Sequence, residues 1–193
     1  MTRIGVFCGS SAGNRPVFRQ AAVDLARALG RRGWGLVYGG ARVGLMGVLA
    51  DTMLRQGREV IGVIPQALVD LEIAHSGLTD LRVVGSMHER KALMVELADG
   101  FIALPGGYGT LEEFSEVLTW AQLGLHRKPC GLLDVDAYFD PLLALFDGAV
   151  SAGFLRPENR ALVLKANDPE ALLDLFASYK PVSVPKWITP AQT

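Results

Sequence analysis

The sequence has few of the features that mark secreted or membrane proteins. Its 193 residues include only two cysteines, Cys8 and Cys130, and they form no metal-ligand pattern. So little cysteine excludes a disulfide framework, and a reducing, cytoplasmic setting is the simplest interpretation. The longest stretch without a charged residue, Gly100 to Leu111, contains proline and glycine and is too short to span a bilayer.

An excess of charge of one sign is also absent. Lysine and arginine number 19 against 20 aspartates and glutamates, which gives a formal net charge of −1. We therefore expect no broad basic surface for nucleic acid or for an anionic membrane. The amino-terminal segment MTRIGVFCGSS has one positive charge before it turns to glycine and serine, which favours a first strand over a signal peptide.

The common nucleotide-binding fingerprints are missing. The first glycine turn, 9–13, lacks the G-x-G-x-x-G pattern, and after Gly107 and Gly109 the third glycine position holds Glu112. A carboxylate there would face the pyrophosphate of NAD or FAD, so both are disfavoured. The P-loop pattern G-x-x-x-x-G-K-[ST] is absent as well. A mononucleotide or a sugar phosphate fits better.

What the chain does contain is a regular alternation of short apolar runs with helical patterns. The strand candidates are 3–9, 34–40, 59–65, 81–85, 101–107, 129–134 and 162–166. The helical stretches lie near 16–32, 44–57, 87–99, 110–124, 138–152 and 168–179. Continuous apolar strands separated by helices predict a doubly wound, Rossmann-like α/β fold, with a parallel sheet covered by helices on both faces. We expect a single domain over 1–180 and a proline-rich tail over 181–193.

Three of the predicted strands end in glycine-rich turns, at 8–13, 38–47 and 104–110. Glycine at one such turn is explained by tight geometry alone. Three such turns on one edge of a parallel sheet favour an anion or nucleotide site, because ligands bind there at the helix starts. The candidate phosphate or nucleotide loops contain Gly9, Ser10, Ser11, Gly39 and Gly40.

The segment 85–100 opens a helix with two basic residues. Ser86 and Glu89 match a capping box, which is a sufficient structural role for both. Arg90 and Lys91 follow at the positive end of the helix dipole, where cations are unfavourable. Arg90 also lies in register with the apolar stripe of Leu93, Met94 and Leu97. We therefore expect Arg90 to be buried with a partner or aimed into a site.

The segment LPGGYGTLEEF, 104–114, places glycines directly before two glutamates. Thr110 and Glu113 match a capping box, and Glu112, Glu113 and Glu116 would form a solvated acidic edge if that were their only role. This alternative leaves the glycines unexplained. A helix start that attracts phosphate, flanked by carboxylates, suits holding a phosphate and performing acid–base chemistry beside it.

The nine residues PGGYGTLEE, together with MHERK upstream, resemble the Lonely Guy family of cytokinin riboside 5′-monophosphate phosphoribohydrolases, which are often labelled lysine decarboxylase-like. The family pattern P-G-G-x-G-T-x-x-E is matched from Pro105 to Glu113, and the basic turn by Arg90 and Lys91. The resemblance covers roughly 3–150. A small departure is Ala41, where the family usually has a third glycine.

The resemblance implies hydrolysis of the N-glycosidic bond of a purine nucleoside 5′-monophosphate, without an organic cofactor or a metal. It implies that Glu113 and Arg90 are the essential catalytic pair. It also implies a substrate-lining set: Glu72, Arg90, Lys91, Gly106, Gly107, Tyr108, Gly109, Thr110, Leu111, Glu112 and Thr119. Glu72 and Thr119 rest on the resemblance alone. The family forms homodimers, or larger assemblies of dimers, with sites near the interface.

Two other functions remain open at this point. A pyridoxal phosphate decarboxylase would need a Schiff-base lysine, and only Lys91 lies near the predicted site. A nucleotide or molybdenum-cofactor carrier on the same scaffold would need the glycine turns but neither Arg90 nor Glu113.

A surface for a second subunit is expected on helix 110–124. Trp120, Gln122 and His126 lie off its core stripe, and Val117, Leu123 and Gly124 interrupt its polar side. The alternative is that a segment of the same chain, such as 138–152, covers this face.

Overall fold

The computed structural model describes residues 2–71 and 73–181, and these contain one seven-stranded parallel sheet. The strands are β1 (Arg3–Phe7), β2 (Gly35–Tyr38), β3 (Val60–Pro65), β4 (Asp80–Val84), β5 (Gly100–Ala103), β6 (Cys130–Leu133) and β7 (Val163–Ala166). Their order across the sheet is β4-β3-β2-β1-β5-β6-β7. All seven predicted strands are therefore present, and four of the five interior ones, β2, β3, β5 and β6, are buried along their whole length.

Within residues 2–71 and 73–181, six long helices and two short ones accompany the strands. They are α1 (Pro16–Arg31), α2 (Gly44–Arg55), α3 (Gln66–Val69), α4 (Met87–Leu97), α5 (Tyr108–Gln122), α6 (Asp140–Ser151), α7 (Pro157–Arg160) and α8 (Pro169–Ala177). The long helices match the sequence predictions within a few residues. The short helices α3 and α7 were not predicted, because one helical turn is too short to show a periodic pattern.

Two apolar clusters fill the space between the sheet and its helices. One face of the sheet packs against α1, α2 and α8, through residues such as Leu29, Met53 and Leu172. The other packs against α4, α5 and α6, with Met94 and Phe114 among its buried side chains. The helices cover both faces, which confirms the predicted doubly wound, Rossmann-like architecture.

The strand order places a topological switch point between β1 and β5. The chain moves outward from β1 to β4 and then returns to the other side of β1, where Val6 pairs with Ile102. The connections after β1 and β5 therefore leave the sheet in opposite directions and open a crevice at the carboxyl edge. The first and third glycine turns of the sequence follow these two strands.

No helix in residues 2–71 and 73–181 is long and apolar enough to cross a membrane. Apart from Pro181, the predicted tail 181–193 lies outside the described residues. The proposed division into one domain and a tail stays a prediction.

Tyr38 generates a stability prediction. Its side chain is fully buried at the end of β2, and its hydroxyl has no hydrogen-bond partner in the described part of the chain. An unpaired buried hydroxyl costs about 1–3 kcal/mol. Because Tyr38→Phe removes the hydroxyl and keeps the ring, we expect the free energy of unfolding to rise by about 1 kcal/mol. Urea titration of both proteins tests this, and a less stable variant would contradict it.

Candidate active site

The three glycine-rich turns meet in direct contact at the carboxyl edge of the sheet. The Gly9 amide donates to the carbonyl of Pro105 at 3.1 Å, and the Leu45 amide donates to the carbonyl of Gly9 at 3.0 Å. A Cβ atom at Gly106 would lie 2.9 Å from the Gly9 nitrogen. Larger residues would push the turns apart, so glycine is required here by close packing of one backbone on another.

Two adjoining cavities open at this edge. The larger, of about 370 Å³, is lined by Arg90, Glu113 and Thr110 together with part of the third glycine turn. The second, of about 330 Å³, lies between the first and third turns and is closed on one side by Phe18 and Tyr138. Ser10 and Gly107 line both cavities, so one ligand can extend from one to the other.

Three helices begin around these cavities without a side-chain cap. None of α1, α2 and α5 has a side-chain cap or an acidic residue in its first turn. In contrast, Ser86 caps α4 and Asp168 caps α8. The unpaired N–H groups at the start of α5 and the positive ends of the three helix dipoles favour an anion such as phosphate.

Arg90 and Glu113 form a buried ion pair at the wall of the larger cavity. The Arg90 Nη2 atom donates to the Glu113 Oε1 atom at 2.7 Å, and each side chain is only 10% exposed. Arg90 lies where Gly39 leaves room for it, since a Cβ at position 39 would be 2.5 Å from Arg90 Nη2. The prediction that Arg90 is buried with a partner is confirmed.

The surroundings of Glu113 change its acidity. Burial raises the pKa of the Glu113 carboxyl above its ordinary value, and the positive charge of Arg90 partly opposes this increase. The neighbouring Glu112 raises the pKa of Glu113 further. A carboxylate of raised pKa beside a cavity is typical of groups that exchange protons or stabilise positive charge.

Lys91 contacts two glutamates of α5. Its Nζ atom contacts Glu112 at 2.5 Å and Glu116 at 3.1 Å, and it lines neither of the two cavities. Burial lowers the pKa of Lys91, but the hydrogen bonds to the two glutamates outweigh it and keep the amine protonated. A Schiff base needs a neutral amine, so this environment argues against a decarboxylase that uses Lys91.

The two predicted capping boxes have different outcomes. The Ser86 hydroxyl accepts from the Glu89 amide at 3.1 Å, while the Glu89 carboxylate accepts from the Gly85 amide at 2.8 Å, which closes the start of α4. In α5 the helix begins at Tyr108 after Gly107, so Thr110 lies inside the helix and caps nothing. The capping-box alternative for Glu113 is therefore wrong, and so is a solvated position for this residue, because Glu113 is buried. Glu112 is exposed, as the solvated-edge alternative predicted.

The structure brings most of the predicted site residues together. The cavities are lined by Gly9, Ser10, Ser11, Gly39, Arg90, Gly106, Gly107, Tyr108, Gly109, Thr110 and Glu113. The predicted residues that line neither cavity are Gly40, Lys91, Leu111, Glu112 and Thr119. Gly40 is packed within its turn at φ +73°, and the Thr119 hydroxyl donates to the Ser115 carbonyl beside a separate groove. Glu72 lies outside the described residues.

Sequence reasoning missed the apolar wall of the larger cavity. The side chains that line it include Val43, Met46, Leu68, Ile73 and Met87. Val43 and Met46 lie within the second glycine-rich segment, which was considered only for its glycines. Leu68 belongs to α3, which no periodicity indicated.

The predicted subunit surface on α5 is partly wrong. Val117 is buried, and the buried His126 ring contacts its carbonyl through Nε2 at 2.8 Å. His126 also packs on Phe101, with 5.5 Å between the ring centroids. Both residues are thus covered by their own chain, whereas Trp120 and Gln122 remain half-exposed.

These features define a Rossmann-like α/β protein whose site combines a phosphate-type cradle with a buried arginine–glutamate pair. A family model described as possible lysine decarboxylase matches residues 46–176. The chain is 52% identical over 177 residues to the probable cytokinin riboside 5′-monophosphate phosphoribohydrolase LOGL1 of Oryza sativa subsp. japonica, covering 92% of this chain and 79% of that protein. It is 49% identical over 179 residues to the cytokinin riboside 5′-monophosphate phosphoribohydrolase LOG7 of Arabidopsis thaliana, covering 93% of this chain and 82% of that protein. The chain belongs to the Lonely Guy family.

Solved structures with the same fold are more distant. A molybdenum cofactor binding protein from Rippkaea orientalis superposes with a TM-score of 0.69 at 25% identity, covering 92% of this chain and 96% of that one. The molybdenum cofactor carrier protein of Chlamydomonas reinhardtii gives a TM-score of 0.68 at 22% identity, covering 90% of this chain and 95% of that one. These similarities show that the fold is shared.

The buried ion pair generates a pH-dependent stability prediction. Arg90→Met keeps much of the side-chain volume but leaves Glu113 buried without a partner, which costs about 3–5 kcal/mol when Glu113 is charged. Losing Arg90 also raises the folded-state pKa of Glu113 further above its unfolded value. Protonation then relieves the cost at low pH, so we expect a larger loss of stability at pH 8 than at pH 5.

Urea unfolding of parent and variant at both pH values measures this effect. Arg82→Met is the matched control, because Arg82 forms an exposed pair with Asp80 at 2.7 Å. Its effect should stay within about 0.5 kcal/mol at either pH. If Arg90→Met loses the same free energy of unfolding at pH 5 and at pH 8, the prediction is contradicted.

Proposed function

We propose that this protein is an N-glycosidase that hydrolyses cytokinin riboside 5′-monophosphates, and AMP, to the free purine base and ribose 5-phosphate. The observation that carries the proposal is the buried Arg90–Glu113 pair beside the uncapped helix starts of the glycine turns. The relatives at about 50% identity are named for this reaction.

The glycine turns hold the 5′-phosphate in this proposal. Backbone amides at the start of α5 and in the turn after β1 surround the second cavity, and no acidic residue lies in the first turn of α5. Fixing the phosphate positions the ribose near Glu113. The remote binding energy is thereby used to orient the reacting bond.

Glu113 acts at the ribose carbon that loses the base. The bond between C1′ and the purine nitrogen breaks with its electron pair going to the base, and positive charge develops on the ribose. A carboxylate next to C1′ stabilises that charge and orients the water whose oxygen bonds to C1′. One proton of the water goes to the departing base and the other stays on the new ribose hydroxyl.

Arg90 positions the Glu113 carboxylate in the proposed reaction. Its Nη2 atom contacts Glu113, whereas its Nη1 atom lies 3.8 Å from the Met87 sulfur. Without Arg90 the buried Glu113 would take up a proton and lose the charge that the transition state needs. The sequence left open whether Arg90 orients Glu113 or contacts substrate, and this geometry supports orientation.

The apolar wall of the larger cavity supports a purine with an apolar substituent. Val43, Met46, Leu68, Ile73 and Met87 offer aliphatic and thioether surface in the same cavity as Glu113. An N6-linked hydrocarbon group would be desolvated there without leaving polar groups unpaired. This wall favours cytokinin nucleotides over AMP, and no cofactor takes part in the reaction.

A carrier function is the second candidate, because carrier proteins share the fold. A carrier needs the glycine turns to hold a phosphate. It does not need a carboxylate of raised pKa that is held by a buried arginine at the cavity wall. The Arg90–Glu113 pair therefore favours the enzyme.

A homodimer, or a larger assembly of dimers, is part of the proposal, and neither nucleic acid nor a membrane is an expected partner. The side chains of Leu145 and Phe154 are 67% and 90% exposed. Phe154 lines a groove of about 280 Å³ between α5 and α6, together with Leu118, Phe146 and Leu155. Exposed apolar surface of this kind is typical of subunit contacts. The cytoplasmic location stays a prediction.

Glu113→Gln tests the catalytic assignment. The amide keeps the size of the side chain but removes its charge, so turnover should fall by about 10²-fold or more. The assay incubates the protein with AMP and with isopentenyladenine riboside 5′-monophosphate and measures free base by chromatography. Glu116→Gln, one turn further along α5 and outside both cavities, is the control and should stay within about threefold of the parent.

Two outcomes of this assay would oppose the proposal. If Glu113→Gln stays nearly as active as the parent, Glu113 is not the catalytic carboxylate. If the parent binds the nucleotides but releases no base, the carrier function is favoured instead.

Sedimentation velocity tests the assembly. We expect a stable homodimer at low micromolar concentration, and Phe154→Asp should shift it toward monomer, because a charge in an apolar interface is desolvated without a partner. Asp147→Asn, in α6 and polar in both forms, is the control and should leave the dimer intact. A fully active monomeric parent would refute the dimer.

A further inference from the structure

The turn between β6 and α6 contains unusual backbone geometry. Asp136 and Ala137 have φ angles of 57° and 58°, so two consecutive residues other than glycine are left-handed. This conformation costs about 1–2 kcal/mol per residue. Such strain persists only where the surrounding structure fixes it, and it concentrates at functional sites.

Several contacts hold this turn in place. Asp134 is buried at its start, accepts from the Phe139 amide at 2.8 Å and pairs with Lys165 at 2.7 Å. Asp136 forms an ion pair with Arg15, which precedes α1. The strained turn is thus tied both to the edge strand β7 and to the start of α1.

The result of this geometry is the placement of Tyr138. Its ring packs edge-on against Phe18 and Phe139, with centroids 5.8 Å and 5.1 Å apart. Its hydroxyl donates a 2.6 Å hydrogen bond to the carbonyl of Gly106, within the third glycine turn. Tyr138 also lines the second cavity, next to Gly106 and Gly107.

Holding the Gly106 carbonyl also orients the amide that follows it. In a trans peptide the carbonyl and the next N–H point in opposite directions, and no cis peptide occurs in the described residues. The Gly107 N–H therefore points away from Tyr138. It donates to no acceptor in residues 2–71 and 73–181, and a Cβ at Gly107 would meet nothing within 4 Å. This amide is free to receive a ligand.

We propose that Tyr138 is a positioning residue for the 5′-phosphate: its hydroxyl fixes the Gly106–Gly107 peptide so that the Gly107 N–H donates to a phosphate oxygen. The hydrogen bond to the carbonyl also polarises the peptide and strengthens its N–H as a donor. This inference rests on the proposed function. Tyr138 acts through the peptide and not on the base or the ribose, so it contributes to recognition of the phosphate alone.

Tyr138→Phe tests this role, because it removes the hydroxyl and keeps the ring against Phe18 and Phe139. We expect the affinity for ribose 5-phosphate, measured by calorimetry, to fall about fivefold to tenfold, which corresponds to one lost hydrogen bond. The affinity for adenosine, which has no phosphate, should stay within about twofold. In the hydrolysis assay, kcat/KM for AMP should fall by the same factor as the affinity for ribose 5-phosphate.

Tyr38→Phe is the matched control, since it deletes the same atom from a buried tyrosine whose hydroxyl has no partner in the described part of the chain. It should leave the affinity for both ligands unchanged. If the role of Tyr138 is merely structural, Tyr138→Phe should weaken the binding of adenosine and of ribose 5-phosphate equally. That result would overturn the proposal. Unchanged binding of ribose 5-phosphate by Tyr138→Phe would overturn it as well.

The failure of this proposal can be distinguished from the failure of the proposed function. If the parent releases no base but Tyr138→Phe selectively weakens the binding of ribose 5-phosphate, the enzyme function is wrong and the role of Tyr138 stands. If the parent binds no ribose 5-phosphate at all, both are overturned.

Discussion

The buried contact between Arg90 and Glu113 imposes constraints on much of the surrounding structure. Two charges that are each 10% exposed are stable only when they face each other at hydrogen-bonding distance, here 2.7 Å. That requirement sets the distance between α4 and α5. It also explains Gly39, because any larger residue would occupy the space of the guanidinium. The cap at Ser86 fixes where α4 begins and hence the face on which Arg90 lies.

Much of this arrangement could be predicted from the sequence, because it depends on periodicity and on local turn chemistry. The alternation of apolar runs and helices gave the strands and the doubly wound sheet. The position of Arg90 in the apolar stripe indicated that it is buried. Both inferences use the spacing of apolar residues within about ten positions. This spacing indicates which side chains are buried away from solvent.

The parts that could not be predicted depend on contacts between distant segments. Lys91 follows Arg90 directly, and only the relative placement of α4 and α5 shows that it faces Glu112 and Glu116 instead of the cavity. The start of α5 was placed too late, because Thr110 is a good capping residue and Gly107 is not recognisable as the cap. Tyr138 was missed since the left-handed turn before it contains no glycine.

The cations at the site have a consequence for how a ligand arrives. Arg90, Lys91 and Arg15 each already face a carboxylate. Backbone amides of the glycine turns are therefore the main donors for a phosphate in the proposed reaction, together with the hydroxyls that line the two cavities. Amides are dipoles, and their field declines with distance faster than that of a net charge. Long-range electrostatic steering of the substrate would therefore be weak, and its association rate would depend little on ionic strength. Recognition would then occur at contact, through the shape of the phosphate group.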